Sequence, residues 1–578
     1  MTPNSQQPGP AASAKPIFAF WIEQPPGVPF RGEGLMVVVA NLVRSMARRG
    51  DTRVILGCAI WTRDDLVAFL HQYGVSDSDY EVVTGSSRIP VVVRLVEFKK
   101  RLRSKRKKAR PPLLRRFSDF VTRTLRSPTV AGAFVSSRIL LFLLALPVLI
   151  GFAIVGGMLL VARAVMGLFK SLKPKSDREH PRPDRWVPKA DKKQPPDPSF
   201  TATTKRRFKA ARVKLKQNVR AVKTQVRVWY EQLLRVEFLR VAKRGARLGV
   251  DVWYITTPGA KVGMTDLQTR TMLAVADFVP FDFEYGFEKN FPVGWARDVL
   301  GFLQQGAARA SATISYSASV RDRHAIERLG VPRDRAYVVP HAPPFLPAEL
   351  VADERRARAL IREYLSSELA TEHSWTASVA PGYVDQLDLG KLDYVFVSSQ
   401  IRPHKNTLNM VLAMERLIRR KYVSCKCVLS GEIGWGSGLA DQVLIRELQY
   451  DVLSLPRIPT RHHAAFFRCA RLAVVPTLFE GAFPFPFSES MSVGTPVIMS
   501  RIPMVEEIIP EDLGRLMLFD PFRVEDIADK IEWGLNNRDE LYALQKPIFD
   551  KLAKRTWDHV ASEYINVAYN VRTEGTVG

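Results

Sequence analysis

The sequence predicts an α/β protein with two Rossmann-like domains facing a cleft, the first carrying a basic, partly hydrophobic helical insertion. Two observations predict it. Strand-like and helix-like runs alternate over residues 16–98 and resume after residue 248, and such alternation is typical of parallel sheets covered by helices. The block between them is rich in Lys and Arg and contains a long uncharged run. At 578 residues the chain is long enough for three or four domains.

The first domain begins with a strand, a glycine-containing turn and a helix. Residues 16–22 (PIFAFWI) are strand-like, the pattern LMVVVANLVRSMARRG is helical, and TRVILGCAI is a second strand. A glycine turn before a helix lets backbone N–H groups approach an anion. This turn lacks the third spaced glycine of a dinucleotide-binding fingerprint, so a simple tight turn stays open as the alternative.

We assign residues 16–98 and 248–348 to one domain, because neither segment alone supplies enough strands to close a core. The remaining boundaries are a disordered N-terminus (1–15), an interdomain connection (349–390), a second α/β domain (391–555) and a C-terminal helix and tail (556–578).

The positive charge is concentrated in the insertion. The chain has 85 Lys and Arg against 58 Asp and Glu, a formal net charge of +27. Residues 99–247 hold 39 of the basic and 8 of the acidic residues, a net of +31, and the rest of the chain carries −4. This charge excludes a cytosolic metabolic enzyme with no polyanionic neighbour. Four cysteines exclude a disulfide scaffold, and no second Cys/His pair completes a zinc site.

An apolar segment, residues 139–162, lies inside the insertion and has no charged side chain. As a helix it is about 36 Å long, against roughly 30 Å of membrane hydrocarbon. Both flanks are strongly basic, which favours the cytoplasmic side for both, and Pro147 offers a kink. We therefore expect a monotopic dip into the membrane, with a full span and a buried core helix as the alternatives.

The insertion ends in a linker and a long helix. Residues 171–203 are rich in proline and charge and predict a disordered linker. Residues 204–247 predict a basic helix whose apolar stripe suits packing on its own domain, on the bilayer or on a second chain, so the oligomeric state stays open. Aromatic residues are not interleaved with the basic ones as stacking platforms require, so we expect no nucleic acid partner.

The second domain carries two cations at a strand-to-helix turn. In SSQIRPHKNTLNMVLAM, Arg402 and Lys405 follow a strand and precede a helix. Two cations beside a helix N-terminus suit a diphosphate. The stretch resembles the donor domain of retaining GT-B glycosyltransferases of the family 4 type. The resemblance implies that Arg402 and Lys405 clasp the diphosphate of a nucleotide sugar.

Residues 476–500, PTLFEGAFPFPFSESMSVGTPVIMS, resemble the most specific signature of that family. The family separates its two acidic residues by seven positions, whereas Glu480 and Glu489 are separated by eight. The resemblance implies that Glu480, a catalytic candidate, meets the donor sugar. It implies that Glu489 binds the ribose hydroxyls, since a carboxylate accepts from two of them, and that Gly481 and Ala482 let main-chain N–H groups reach phosphate or sugar.

The first domain extends the resemblance. FRGEGLMVVVANLVRSMARRG is similar to the family's first loop and helix. Its expected cleft residues are Arg31, Gly32 and Gly34. AVADFVPFDFEY resembles a segment in which many members have His-Asp; here Ala276 stands in the histidine's place, and Asp277 is a catalytic candidate near acceptor or sugar. VVPHAPP occupies the place of a family turn, where His341 has either a structural or a cleft role.

The resemblance implies transfer of a sugar from a nucleotide diphosphate sugar to an acceptor hydroxyl with retention of configuration. No acidic triplet occurs where a metal-using transferase holds its ion, so we expect neither a metal nor another cofactor. The insertion adds anionic membrane lipids as partners, because Lys and Arg bind an anionic leaflet and an apolar dip adds anchoring.

The expected acceptor is therefore linked to polyprenyl diphosphate or another lipid, in synthesis of cell-surface polysaccharide or glycolipid. The expected location is the cytoplasmic face of the inner (plasma) membrane, with residues 99–247 as the anchor. A catalytically weak GT-B protein that acts as a membrane scaffold or partner is the alternative, and a nucleic-acid-binding protein is less favoured.

Overall fold

Two parallel sheets organise the chain, as the sequence predicts. The computed structural model describes residues 15–27, 30, 34–90, 93–94, 228, 231–257, 259–279, 294–434 and 437–573. In these residues a seven-stranded and a six-stranded sheet are each covered by helices. The expected fold class of two parallel-sheet α/β domains is therefore confirmed.

The first sheet has the strand order β3-β2-β1-β4-β5-β6-β7, and all its neighbours are parallel. Its strands are largely apolar because both faces of a parallel sheet are covered. They are β1 (Ile17–Ile22), β2 (Arg53–Cys58), β3 (Glu81–Val83), β4 (Val252–Ile255), β5 (Arg270–Ala274), β6 (Ala312–Ser315) and β7 (Ala336–Val338).

The centre of this sheet joins the chain segments on either side of the basic block. Strands β1 and β4 pair directly, with Ala19 opposite Trp253 and Trp21 opposite Ile255. The helices of this half are α1 (Gly34–Arg49), α2 (Arg63–Gln72), α3 (231–247), α4 (Lys261–Thr265), α5 (Trp295–Arg309) and α6 (Ala318–Val320), which continues as a π-helix, Arg321–Arg328.

Helix α3 has a different place from the one expected. The sequence analysis assigned residues 231–247 to the membrane-associated insertion, but α3 packs into the core of the first domain. Phe238 is buried, with its ring 5.6 Å from that of Trp21 and 6.2 Å from that of Trp61. Gly245 permits the close approach, since a Cβ there would lie 2.3 Å from the Trp253 ring.

A buried carboxylate fixes α3 to two loops of the first domain. Glu237 accepts hydrogen bonds from the backbone N–H groups of Ile60, Gly85 and Ser86, each at 3.1 Å. Such pairing is required because an unpaired buried carboxylate is costly. The apolar stripe of this helix therefore serves its own domain, one of the three packings left open by the sequence.

The second sheet has the order β10-β9-β8-β11-β12-β13, again with parallel neighbours. Its strands are β8 (Tyr394–Val397), β9 (Lys426–Leu429), β10 (Val452–Ser454), β11 (Leu472–Val475), β12 (Val497–Ser500) and β13 (Leu518–Phe519). Helices α7 (Glu354–Leu365), α8 (Glu368–Thr371) and α9 (Trp375–Val379) precede it.

The helices within and after the second sheet complete the second domain. They are α10 (Thr407–Arg420), α11 (Gly438–Ile445), α12 (Thr460–Cys469), α13 (Phe485–Ser492), α14 (Pro503–Glu506), α15 (Glu511–Met517), α16 (Val524–Asn536) and α17 (Arg538–Ala553).

The last helix, α18 (Trp557–Thr573), returns to the first domain. Its Tyr564 is fully buried there, with its hydroxyl 3.2 Å from that of Tyr254, which in turn lies 3.2 Å from the hydroxyl of Tyr316. Mutual hydrogen bonding satisfies three phenols that burial removes from water. The chain therefore crosses between its domains twice.

Several expectations fall on residues that lie outside the described ones. They are the disordered N-terminus over 1–14, the apolar segment 139–162, the linker 171–203 and the loop residues Arg31 and Gly32. Among the residues that the structure describes, no helix is both long and apolar enough to span a membrane.

Candidate active site in the interdomain cleft

A cleft of about 1350 Å³ lies between the two sheets. Its walls include the chain segments that directly follow β1 and β4 in the first sheet and β8 and β11 in the second. In each sheet these two strands are neighbours whose connections run in opposite directions, which is where doubly wound sheets bind ligands. The topology therefore brings the two ligand-binding edges face to face.

The turn after β8 places two cations in this cleft. Arg402 and Lys405 both line it, at the two ends of a short 3₁₀ turn that leads into α10. Asn406 has a φ of 55° and is held there by donating from Nδ2 to the carbonyl of Pro521 at 2.7 Å. The cations thus stand beside the N-terminus of a 14-residue helix, which favours an anion.

The residue between these cations ties two loops together. The carbonyl of His404 accepts from the backbone N–H of Leu478 at 2.7 Å and from Thr477 Oγ1 at 3.2 Å. Burial, with Lys405 and Arg402 nearby, lowers the pKa of His404 to about 3, so its ring is neutral at physiological pH. The turn after β8 is therefore fixed to the loop that carries Glu480.

Glu480 lies at the centre of the charged groups in the cleft. Its Oε1 forms an ion pair with Lys405 Nζ, and both side chains are about one-fifth exposed, at 22% and 20%. Asp277 faces the same group from the end of β5. Burial raises the pKa of Asp277 first of all, Glu480 raises it further, and Lys405 and Arg402 oppose the rise. Four residues predicted from three separate motifs therefore meet in one place.

Gly481 is the point where the domains touch beside this cluster. A Cβ on Gly481 would lie 2.0 Å from the carbonyl oxygen of Ala276 and 3.6 Å from Cβ of Asp277. Ser317 of the first domain donates from Oγ to the carbonyl of Gly481 at 3.3 Å. The absence of a side chain therefore lets the two domains meet here, and the neighbouring Ala482 lines the cleft.

Glu489 lies on α13 and also lines the cleft. Burial raises the pKa of its carboxyl to about 7. Among the described residues its carboxylate has no hydrogen-bonded partner, while its backbone carbonyl accepts from Ser492 Oγ at 2.7 Å. Glu489 is half-buried, and an acid that faces the cleft without a protein partner is able to accept from ligand hydroxyls.

The two remaining predicted residues that the structure describes both line the cleft. Gly34 begins α1 and lines the cleft. His341 lines it too, but its ring is packed 4.0 Å from that of Tyr316 and 6.0 Å from that of Trp557. Burial lowers the pKa of His341 to about 3, with Arg555 contributing, so this ring is a weak base at neutral pH.

Two carboxylates that the sequence analysis did not select hold backbone segments in or near the cleft. Glu23, directly after β1, lines the cleft, is half-buried and accepts from Trp21 Nε1 and from the N–H groups of Val262 and Gly263, each at 3.0 Å. The sequence feature that could have identified Glu23 is its position as an acid at the end of an apolar strand.

Glu507 of the second domain joins the first domain at the start of α6. It accepts from the backbone N–H of Ala318 at 3.0 Å and from that of Ser319 at 2.6 Å. An acid near a helix N-terminus is favourable. The partners of Glu507 are almost 190 residues away in the sequence, so no local sequence pattern predicts this contact.

The second domain also matches a known family. Residues 385–547 match the model described as Glycosyl transferases group 1. The matched segment spans less than a third of the chain. The matched segment contains all the second-domain side chains discussed above, from Arg402 to Glu507.

Two curated relatives share part of the chain. An uncharacterized glycosyltransferase of Methanocaldococcus jannaschii is 25% identical over 170 residues, which are 28% of this chain and 41% of the relative. O-antigen chain mannosyltransferase B of Escherichia coli is 27% identical over 139 residues, 24% of this chain and 35% of the relative. The matches therefore span well under half of the length of these relatives.

The similar solved structures are distant in sequence. Anabaena HepE in complex with UDP is 11% identical, with a TM-score of 0.49 and coverage of 96% of this chain and 100% of that chain. Sucrose-phosphate synthase from Thermosynechococcus elongatus is 16% identical, with a TM-score of 0.43 and coverage of 58% and 78%. The fold described above rests on the sheet topology itself.

Proposed function

We propose that this protein is a membrane-associated glycosyltransferase that moves a sugar, with retention of configuration, from a nucleotide diphosphate sugar to a lipid-linked acceptor. The observation that carries the proposal is the meeting of Arg402, Lys405, Glu480 and Asp277 in one cleft between two sheet edges. The family match of the domain that contributes three of them supports the same reaction.

The donor diphosphate fits the turn after β8. Breaking the bond between the anomeric carbon and the diphosphate oxygen leaves negative charge on the diphosphate, while the acceptor oxygen bonds to the anomeric carbon and gives its proton to the departing diphosphate. Arg402, Lys405 and the N-terminus of α10 stand where they would stabilise the departing charge. The group that gains negative charge in this reaction is then the leaving diphosphate, which preorganised cations stabilise.

Lys405 changes partner when the donor binds. In the structure its ammonium pairs with Glu480. A diphosphate competes for that ammonium, and Glu480 becomes available to accept from hydroxyls of the donor sugar. Glu489, farther along the same segment, is left to accept from the ribose hydroxyls.

The reaction is proposed to need no metal, because two side-chain cations and a helix N-terminus supply positive charge at the diphosphate. Transfer then persists in the presence of a chelator. Loss of turnover with chelator and its return with Mg²⁺ or Mn²⁺ would contradict this part of the proposal.

The lipid-linked acceptor and the membrane location rest on the insertion. Without α3, the insertion (residues 99–230) has a net charge of +28, and this charge and the uncharged run 139–162 suit an anionic bilayer surface. One curated relative is named as an O-antigen chain mannosyltransferase, which is compatible with synthesis of a cell-surface polysaccharide at the cytoplasmic face of the membrane.

A panel of radiolabelled nucleotide sugars, incubated with the full chain and a membrane lipid extract, tests the proposal. We expect one donor to pass its label to an extractable lipid product that has the anomeric configuration of the donor. Binding of a nucleotide without transfer from any donor would contradict enzymatic function and favour the scaffold alternative.

A further inference from the structure

The two catalytic candidates, Asp277 and Glu480, belong to different domains, and each has a phenylalanine as its neighbour in the chain. Phe278 directly follows Asp277 after β5, and Phe479 directly precedes Glu480 after β11. Both phenylalanine rings are buried. Because adjacent residues share a planar peptide bond, the packing of each phenylalanine restricts the backbone from which a cleft carboxylate extends.

The ring of His324 contacts both of these phenylalanines. It is stacked on Phe278, with ring centres 4.7 Å apart and an angle of 11° between the planes, and it meets Phe479 edge-on at 5.5 Å and 78°. Both arrangements are typical of attractive ring pairs. His324 is itself buried. One ring of the first domain therefore packs against the chain neighbours of both cleft carboxylates.

The segment that carries His324 is also attached to the second domain by hydrogen bonds. It comprises residues 317–328 and ends in the π-helix described above, a rare conformation that is frequent at functional sites. Ser317 Oγ donates to the carbonyl of Gly481 at 3.3 Å, and the carboxylate of Glu507 accepts from two backbone N–H groups at the start of the segment. These polar contacts and the His324 ring fix the same two domains against each other.

The size of the His324 ring matters because its neighbours lie on separate domains. Removal of a buried side chain leaves a cavity that the surroundings fill only in part. Here Phe278 and Phe479 are able to approach or separate by a movement of one domain relative to the other. Loss of the ring would therefore change the distance between Asp277 and Glu480.

We propose that His324 is a positioning residue, whose ring sets the separation between Asp277 and Glu480 in the arrangement of the domains that performs transfer. This inference rests on the proposed function, for which it identifies a residue outside the cleft that orders the groups inside it. His324 does not line the cleft, so its role is steric, and it acts through Phe278 and Phe479.

The test compares three variants of the full-length chain. His324→Ala removes the ring, and His324→Phe replaces it with another planar ring of similar size. His462→Ala is the matched control, because His462 is also a buried helical histidine beside an aromatic ring, 6.1 Å from that of Tyr364, but it lies on α12 and outside the cleft. Thermal unfolding of each variant identifies any that fail to fold.

The distance between the two domains is the first readout, and it requires no activity. Spin labels are attached at Asp64→Cys and Asp539→Cys, because the native side chains are 89% and 95% exposed on the first and second domains. The native cysteines are buried or half-buried, and chains without the added pair measure their labelling. We expect one narrow distance distribution for the labelled parent, His324→Phe and His462→Ala, and a broader or shifted one for His324→Ala.

The second readout separates turnover from donor binding. We expect His324→Ala to lower kcat for label transfer about 100-fold, because a displacement of about 1 Å costs that much in a positioned site. The dissociation constant of the nucleotide diphosphate should stay the same, since Arg402, Lys405 and Glu489 all belong to the second domain. His324→Phe should restore kcat, and His462→Ala should change neither quantity.

An unchanged distance distribution or an unchanged kcat in folded His324→Ala protein would overturn the inference. Failure of folded His324→Phe protein to restore both would overturn it as well, as would a loss of nucleotide affinity equal to the loss of kcat. Absence of transfer by the wild type from any donor would instead contradict the proposed function. The distance measurement would then still decide whether His324 fixes the two domains.

Discussion

The charges of individual side chains in the cleft depend on their neighbours and on their burial. Lys405 and Glu480 neutralise each other, whereas the acid of Glu489 is half-buried and has no protein partner among the described residues. Burial disfavours the ionised form of a carboxyl group. The carboxyl group of Glu489 is therefore partly protonated near neutral pH. This protonation should make both the stability of the protein and its affinity for the donor depend on pH.

Glu489→Gln should remove a pH dependence of stability. Because the pKa of Glu489 is raised from 4.5 to about 7 in the folded state, its contribution to stability is complete below about pH 4.5 and is lost as pH rises to about 7. We expect the difference in free energy of unfolding between wild type and the variant to change in this window and to be flat above it. Denaturant unfolding from pH 4 to 8 measures it, and parallel curves would contradict the assignment.

Glu489 should also couple donor binding to proton release. Ribose hydroxyls donate to the ionised carboxylate, so affinity for a nucleotide sugar should rise as pH increases through 7, with release of up to one proton. Calorimetry in buffers of different ionisation enthalpy measures this release. Glu489→Gln should show none, and equal release by both proteins would place the titrating group elsewhere.

At the scale of elements, helix α3 changes the boundary of the insertion. Its Phe238 lies among tryptophans of the first domain, and its Glu237 holds two loops. Phe238→Ala should lower the free energy of unfolding by about 3–5 kcal/mol. Leu239→Ala is the matched control, since Leu239 is 38% exposed on the same helix, and denaturant unfolding compares them. A similar effect of both substitutions would contradict the core role of α3.

The loop after β11 brings the domains into contact at Gly481. Gly481→Ala forces the loop away from the Ala276 carbonyl, which lies 2.0 Å from the added Cβ. We expect the transfer rate to fall about 100-fold, because a displacement of about 1 Å costs that much in a positioned site. Gly438→Ala, where nothing lies within 4 Å of an added Cβ, is the control. Equal rates for the two variants would show that the contact does not matter.

The sequence predicted those parts of the site that short motifs encode. Arg402, Lys405 and Glu480 lie in two compact stretches, and each follows a strand whose apolar run is easily recognised. Glu23 and Glu507 were not selected, because their surroundings come from residues distant in sequence.

The place of helix α3 was left open by the sequence for a related reason. An amphipathic pattern predicts that one face of a helix is covered. It does not identify whether the same domain, the bilayer or a second chain covers that face. The two sheets were predictable because their apolar strands repeat in order, and the pairing of β1 with β4 follows from the need to complete one sheet.

At the scale of the whole molecule, an enzyme-like body that includes α3 has a net charge of −1, and residues 99–230 have a net charge of +28 from 34 basic and 6 acidic residues. The described residues include α3 in the body, so a clean deletion must end before residue 228. Deletion of 99–227 should move the protein from the membrane fraction to the soluble fraction and leave nucleotide binding unchanged. Fractionation and calorimetry measure the two effects. A soluble wild-type protein, or a deletion that stays with membranes, would contradict the anchoring role.

The central claim is sugar transfer in this cleft onto a lipid-linked acceptor. The most direct measurement is the initial rate of label transfer from a nucleotide sugar into extractable lipid, compared between the wild-type chain and Lys405→Ala. We expect measurable transfer by the wild type and a rate about 100- to 1,000-fold lower for Lys405→Ala, because one preorganised charge at the leaving diphosphate is lost. No transfer by the wild type, or equal rates for both proteins, would contradict the claim.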